Sequence, residues 1–368
     1  MKYYFIAGEA SGDLYGSELM KALRIVDSEA EFRFWGGDLM EKESGKAFRH
    51  IRDLAFMGFV EVIKNLPIIL KNLRTCKEDI TAFNPNAIIF IDYPGFNLKI
   101  AEWARKAGYP TIYFISPQIW AWKEKRVLQI KRDIQKMFVI LPFEKDFYAK
   151  HGFEVDYVGH PLIKILNEIQ INPEKGRVAL LPGSRKQEIE KVLPEMLVAA
   201  ENLPNLKFTV CAAPSIPLQF YQKFSFRPNV TLNQGSAYDV LSKSEVAVVA
   251  SGTATLETAI IGIPQVVVFK GNSLTFLIAK KLIKVKFISL VNLIAQKEIV
   301  KELIQKECTG DKISLEISRI LSSNVSEQIK KEYIEVKSLL GDGEAISKTA
   351  QQIQTFLNKN CISKHDRL

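Results

Sequence analysis

Residues 246–269 read VAVVASGTATLETAIIGIPQVVVF. The β-branched run Val246–Ala250 ends in Ser251, Gly252 and Thr253, and a short helical pattern with a single acid, Glu257, follows. Gly262-Ile263-Pro264 then turns the chain into a second apolar strand, Gln265–Phe269. Short apolar runs joined through a helix mark parallel strands covered on both faces. The small residues sit where the helix begins, so its first backbone N–H groups stay open. Together with the helix dipole they make a receptor for phosphate. Glu257 lies about one turn further in, where a carboxylate can accept hydrogen bonds from sugar hydroxyls. The unit points to a nucleotide-sugar site.

The same alternation of strand and helix extends outward through nearly the whole chain. In the first half, strands are expected at Tyr3–Ala7, Phe32–Gly36, Ala87–Ile91, Thr111–Ser116 and Lys136–Ile140, with helices such as Tyr15–Val26 and Leu98–Ala107 between them. This series ends near Gly159-His160-Pro161, and a polar stretch, Glu168–Arg177, follows. A second series starts at Val178–Leu181 and continues through Lys207–Cys211, Val230–Leu232, Val246–Ala250 and Gln265–Phe269. The pattern predicts an α/β chain of two Rossmann-like domains, residues 1–165 and 166–340. The chain end, Val325–Leu357, is a polar helical pattern, and helices from 340–368 are expected to cross back onto the first domain.

A length of 368 residues accommodates two such domains. The net charge of +9 points to a polyanionic partner: nucleic acid, an anionic membrane surface or a phosphorylated substrate. A basic solvated surface gives the same count. Nucleic-acid binding is disfavoured, because the charge is spread out and no recognition helix or aromatic-basic strand platform is present. Cysteines 76, 211, 308 and 361 are far apart with no C-x-x-C pair, which fits a reducing compartment and argues against structural zinc. The N-terminus reads as an immediate strand rather than a signal peptide. Glu257 at the centre of the most apolar stretch, with internal Gly and Pro, argues against a membrane span. The expectation is a soluble or peripherally attached protein.

Ligands of open α/β sheets bind beyond the carboxyl ends of the strands, which selects the loops to inspect. After the first strand comes Ala7-Gly8-Glu9-Ala10-Ser11-Gly12-Asp13. It is not G-x-G-x-x-G, so dinucleotide binding is disfavoured. Glu9, Ser11 and Asp13 suit hydrogen bonds to a sugar, while Ser11 or Asp13 equally suits a helix N-cap. Asp92 ends an apolar strand in IDYPGFN, as a general base for a substrate hydroxyl or as the turn former before Pro94-Gly95. In SPQIWAWKEKR the tryptophans line a core or an apolar groove, and Lys123, Lys125 and Arg126 suit phosphate. Leu181-Pro182-Gly183-Ser184-Arg185 opens a helix, and backbone amides plus the guanidinium form a diphosphate clamp. Asn292 is a ligand contact or an ordinary turn residue. The stretch 56–70 is apolar on more than one face and edged by Lys64, Lys71 and Arg74, which makes it a lipid or membrane contact or a buried helix.

In this order, AGEASGD, FMGFVEV, IDYPGFN, SPQIWAW with KEKRV, LPFEKDFY, VGHP, LLPGSR, ASGTATLE and SLVNLIA with VKELIQKEC resemble the lipid-A-disaccharide synthases, over Gly8 to about Cys308. The resemblance implies a GT-B glycosyltransferase fold, two Rossmann-like domains facing a cleft. It also implies inverting transfer of 2,3-diacylglucosamine from UDP-2,3-diacylglucosamine to 2,3-diacylglucosamine 1-phosphate, with a β-1′,6 link and no metal or other cofactor. The runner-up reading is another UDP-N-acetylglucosamine user of this architecture, a peptidoglycan lipid-intermediate transferase or a hydrolysing 2-epimerase. On the leading reading Asp92 is the base for the acceptor hydroxyl, with Glu9 and Asp13 the other carboxylates open to that role. Gly183, Ser184, Arg185, Ser251, Gly252, Thr253, Glu257, Asn292 and Gln305 hold the UDP-sugar. Gly8, Glu9, Ser11, Asp13, Asn97, Gln118 and Trp120 surround the acceptor or transferred sugar. Met57, Phe59, Val60, Ile63, Leu66 and Ile69 receive acyl chains. The implied location is cytoplasmic and peripheral, against the anionic inner face of the Gram-negative inner membrane, with no nucleic-acid partner and a homodimer left open.

Overall fold

Near-continuous apolar runs such as Tyr3-Tyr4-Phe5-Ile6, all fully buried, cannot leave one face to water, so both sheets are parallel and sandwiched by helices. The computed structural model describes residues 1–53, 66–271 and 286–365. Contacts divide the chain into two units, Met1–Pro161 with Gly341–Leu368, and Leu162–Leu340.

The first unit holds a seven-stranded sheet in the order β3-β2-β1-β4-β5-β6-β7. Its strands are β1 (Lys2–Ala7), β2 (Glu31–Gly36), β3 (Arg49–His50), β4 (Ala87–Ile91), β5 (Thr111–Phe114), β6 (Lys136–Val139) and β7 (Asp156–Tyr157). The order reverses beside β1, which pairs with β2 on one side and β4 on the other, Ala7 lying opposite Ile91. The helix Ala345–His365 packs against Ala10–Val26, and the Gln354 side-chain amide donates to the Val26 carbonyl. The polar stretch expected as one helical run is two helices, Ser323–Leu339 and Ala345–His365. Gly341 and Gly343 separate them at φ 94° and 88°, a region that only glycine enters without strain.

The second unit repeats the plan with six strands ordered β10-β9-β8-β11-β12-β13. These are β8 (Arg177–Leu181), β9 (Lys207–Cys211), β10 (Val230–Asn233), β11 (Val246–Ala250), β12 (Gln265–Phe269) and β13 (Glu302–Ile304). Here the order reverses between β8 and β11. In doubly wound sheets such reversals open a crevice at the carboxyl ends of the strands. Each sheet therefore offers one such place: β1/β4 in the first and β8/β11 in the second.

Candidate active site

At the β1/β4 reversal two loops meet. The first is Gly8-Glu9, entering the helix Ala10–Val26. The second is Asp92-Tyr93, entering the helix Pro94–Lys106, and both its residues are left-handed, at φ 43° and 47°. Two successive non-glycine residues there cost about 1–3 kcal/mol each, a strain that survives only when neighbours enforce it. Asn97 is fully buried, and its Nδ2 donates to the carbonyls of Asp92 (2.8 Å), Ile91 (3.2 Å) and Ile6 (3.3 Å). The Tyr113 hydroxyl donates to the same Asp92 carbonyl. Gly8 makes room from below, because a Cβ there would stand 2.3 Å from the Tyr93 ring.

The result is an aspartate out of its ordinary state. Burial first and the Glu9 charge second, opposed by the Tyr93 N–H, raise the Asp92 carboxyl to about 7. Asp92 as a residue is only half-buried, although its carboxyl is desolvated. A carboxylate with such a value is poised for general-base work near neutrality.

Several expected sugar contacts prove structural. Asp13 is not the N-cap of its own helix, and its carboxylate is taken up by backbone. The helix starts at Ala10, which places Asp13 inside its first turn, and its carboxylate accepts N–H groups of Gly37 (2.7 Å), Leu39 (3.0 Å) and Met40 (3.1 Å). It caps the neighbouring helix Asp38–Ser44 instead. Ser11 makes no side-chain cap either. Trp120 belongs to the core, 9% exposed, its indole N–H on Glu144 at 3.1 Å and its ring edge-on to Phe143. Asn97 acts on the Asp92 backbone, although its Oδ1 has no hydrogen-bond partner among the described residues. Gln118 is exposed at the start of the short helix Ile119–Trp122.

At β8/β11 the chemistry is backbone. Pro182-Gly183-Ser184 leads from β8 into Lys186–Asn202, whose N-cap residue Arg185 gives no side-chain cap. Gly183 is left-handed at φ 110°, with Glu188 packed so close that a Cβ would lie 2.8 Å from its Oε2. Arg185 is about half exposed and reaches Glu188 at 3.2 Å. On the adjacent strand, Ser251-Gly252 enters Thr253–Ile261, again with no side-chain cap and open space at Gly252. The Ser251 hydroxyl is used internally, donating to the Ile288 carbonyl at 3.0 Å. Two helix starts without a side-chain cap, following adjacent parallel strands and with Arg185 at one of them, have the chemistry that suits an anion. Glu257 is half-buried, its carboxyl raised by burial and eased by the Tyr238 hydroxyl. Tyr238 carried no sequence signal, being one aromatic in a polar turn.

Asn292 is corrected as well. It is fully buried and spent: Nδ2 donates to Val300 and Glu302, and Oδ1 accepts the N–H groups of Ile299 and Val300. It ties the helix Leu290–Ala295 to β13 and has nothing left for a ligand. Gln305 stands differently. Its backbone is left-handed at φ 55°, its Oε1 accepts the Gly271 N–H, and its buried Nε2 has no partner among the described residues. It lines a cavity of about 730 Å³ with Lys191, Lys270 and Lys306.

Of the acyl-chain residues, Met57, Phe59, Val60 and Ile63 lie outside the described residues. Leu66 begins the helix Leu66–Phe83; Ile69 packs on the core, while Ile68 and Leu70 are exposed beside Lys71 and Arg74. No described helix is long and apolar enough to cross a membrane. Among the described residues Asp38, Glu41 and His50 come close enough to share a cation. Each is already engaged: Asp38 by Arg52, Glu41 by the Ala47 N–H, and His50 Nδ1 by the Arg52 N–H.

The lipid-A-disaccharide synthetase family model matches residues 3–356. The chain belongs to this family. The lipid-A-disaccharide synthase of Syntrophus aciditrophicus is 37% identical over 96% of this chain and 97% of its own. Among solved structures, a UDP-GlcNAc 2-epimerase from Neisseria meningitidis bound to UDP-GlcNAc aligns with TM-score 0.68 at 13% identity, covering 96% of this chain and all of the other. The glycotransferase of kitacinnamycin aligns with TM-score 0.66 at 13% identity over 97% and 99%. At that identity the structural likeness speaks for the GT-B fold alone. The epimerase reading thus gains nothing from it, whereas the full-length match to lipid-A-disaccharide synthases makes the chain a glycosyltransferase of lipid A biosynthesis.

Proposed function

We propose that this lipid-A-disaccharide synthase family member transfers 2,3-diacylglucosamine from UDP-2,3-diacylglucosamine to 2,3-diacylglucosamine 1-phosphate with inversion, and that Asp92 is the base. The observation that carries the reading is the strained, desolvated Asp92 at the β1/β4 reversal, with its carboxyl at about 7 and the Glu9 charge beside it. As the carboxylate it removes the proton from the acceptor 6-hydroxyl while that oxygen attacks the anomeric carbon and the bond to UDP breaks. Asp92 is favoured over Asp13, whose oxygens are occupied by three N–H groups. Departing UDP needs positive potential, and the helix starts at Gly183–Arg185 and Ser251–Thr253 supply it without desolvating a fixed charge. Glu257 serves the ribose and the Gln305 amide the donor.

The exposed Ile68 and Leu70 beside Lys71 and Arg74 support a peripheral contact with an anionic membrane through the first unit. The deciding experiment mixes purified protein with the two lipid substrates and follows UDP and disaccharide 1-phosphate. Formation of both is expected. Turnover of UDP-N-acetylglucosamine without disaccharide would overturn the proposal.

A further inference from the structure

Two sequence motifs, SPQIWAW at 116–122 and LPFEKDFY at 141–148, contribute neither Asp92 nor the helix starts at β8/β11, yet the fold ties them together. Phe114 on β5 lies opposite Ile91 on β4, so Ile115 and Asp92 follow at the same level. Both are left-handed, Ile115 at φ 70°. A β-branched residue is a genuine outlier there, since its side chain crowds the backbone, and it persists only where the surroundings over-determine it.

Those surroundings come from the second motif and the strand before it. The Ile115 N–H donates to Phe138 at 3.1 Å. The Ser116 and Tyr148 hydroxyls meet at 2.8 Å. Glu144 accepts the Trp120 indole N–H at 3.1 Å, and its other oxygen accepts the N–H groups of Leu141 (3.0 Å) and Ile140 (3.3 Å). Ser116, Trp120, Glu144 and Tyr148 are all buried, whereas Gln118, in the middle of the segment so held, is exposed. Glu144 thus caps the start of its own helix, Pro142–Lys150, with one oxygen and ties that buried helix start to Trp120 with the other.

We propose that Glu144 is a positioning residue for transfer: with Tyr148 it holds the strained segment 115–120 level with Asp92, so that Gln118 is presented to the acceptor sugar. This rests on the reading of Asp92 as the base for the acceptor hydroxyl. Glu144 touches no substrate and acts only through the segment. Glutamine cannot replace it, because one oxygen that now accepts N–H groups becomes an NH2.

The test is steady-state kinetics on the full chain, with UDP-2,3-diacylglucosamine and 2,3-diacylglucosamine 1-phosphate varied separately. Glu144→Gln should raise the acceptor KM about tenfold and leave the donor KM within about twofold. Tyr148→Phe, which removes only a hydroxyl, should raise the acceptor KM about threefold. An unchanged acceptor KM, or equal rises in both KM values, overturns the proposal, and if Glu144→Gln fails to fold, Tyr148→Phe decides by the same ratio. Absence of turnover by the unaltered chain takes down the underlying reading and this inference together. Turnover with no acceptor effect takes down this inference alone.

Discussion

At the β1/β4 reversal the chain brings two carboxylates together, Glu9 on an extended loop and Asp92 on a strained turn, whereas at β8/β11 it sets two helix starts that no side chain caps. The topology is the same and the local chemistry is opposite. In the first sheet one side chain stands on a left-handed backbone that Asn97 and Tyr113 brace and Gly8 leaves room for. In the second the groups on offer are backbone N–H at two helix starts, preceded by the small residues Gly183 and Gly252. A proton acceptor depends on one side chain; an anion seat is spread over several amides and fails gradually.

That contrast can be broken or sharpened by substitution. Asp92→Asn should lower kcat roughly 10³-fold while UDP affinity, measured by calorimetry, stays unchanged. Loss of UDP binding in that variant would remove the base role. Arg185→Ala should do the reverse, weakening UDP roughly 10- to 100-fold by taking a charged donor from the seat, with the pH midpoint of transfer unmoved. Asp13→Ala should cost about 1–3 kcal/mol in denaturant unfolding, since it orphans the N–H groups it caps, yet leave donor affinity intact. A ligand role for Asp13 would show up as a change in either KM at constant stability.

The smallest expected effect is in pH dependence. Transfer per active site should rise as pH climbs through about 7, because only ionised Asp92 accepts a proton. Stability should move the other way. The folded-state value lies above the ordinary carboxylate range, so its contribution is full below that range and is lost as pH rises through about 7. Asp92→Asn should therefore melt slightly higher than the unaltered chain at pH 8 and not at pH 4. Identical melting differences at both pH values would mean that Asp92 is not desolvated.

Much of the fold was legible in the residues. The long strands were readable as apolar runs, Ala87–Ile91, Lys207–Cys211, Val246–Ala250 and Gln265–Phe269 to the residue. The short edge strands Arg49–His50, Asp156–Tyr157 and Glu302–Ile304 were not, because two or three residues carry no periodicity. The strand expected over Thr111–Ser116 stops at Phe114, where Ile115 turns left-handed, a strain that no residue type announces.

What the sequence determined by itself, then, is the architecture and the residue types at each loop, since burial on both faces and helix starts after strands are written in local order. What only the tertiary structure decided is which polar groups remain free for chemistry. Asp13, Asn292 and Trp120 each read two ways in a line of text, as a ligand contact or as a structural residue, and each is consumed by a partner 24 residues away, 7 to 10 residues away and again 24 residues away. Asp92 reads as a general base or as a turn former, and the fold adds what local order cannot, the burial and the Glu9 charge that push its carboxyl up. Hydrogen-bond capacity and desolvation are properties of neighbours in space, and those neighbours are assembled by the sheet order.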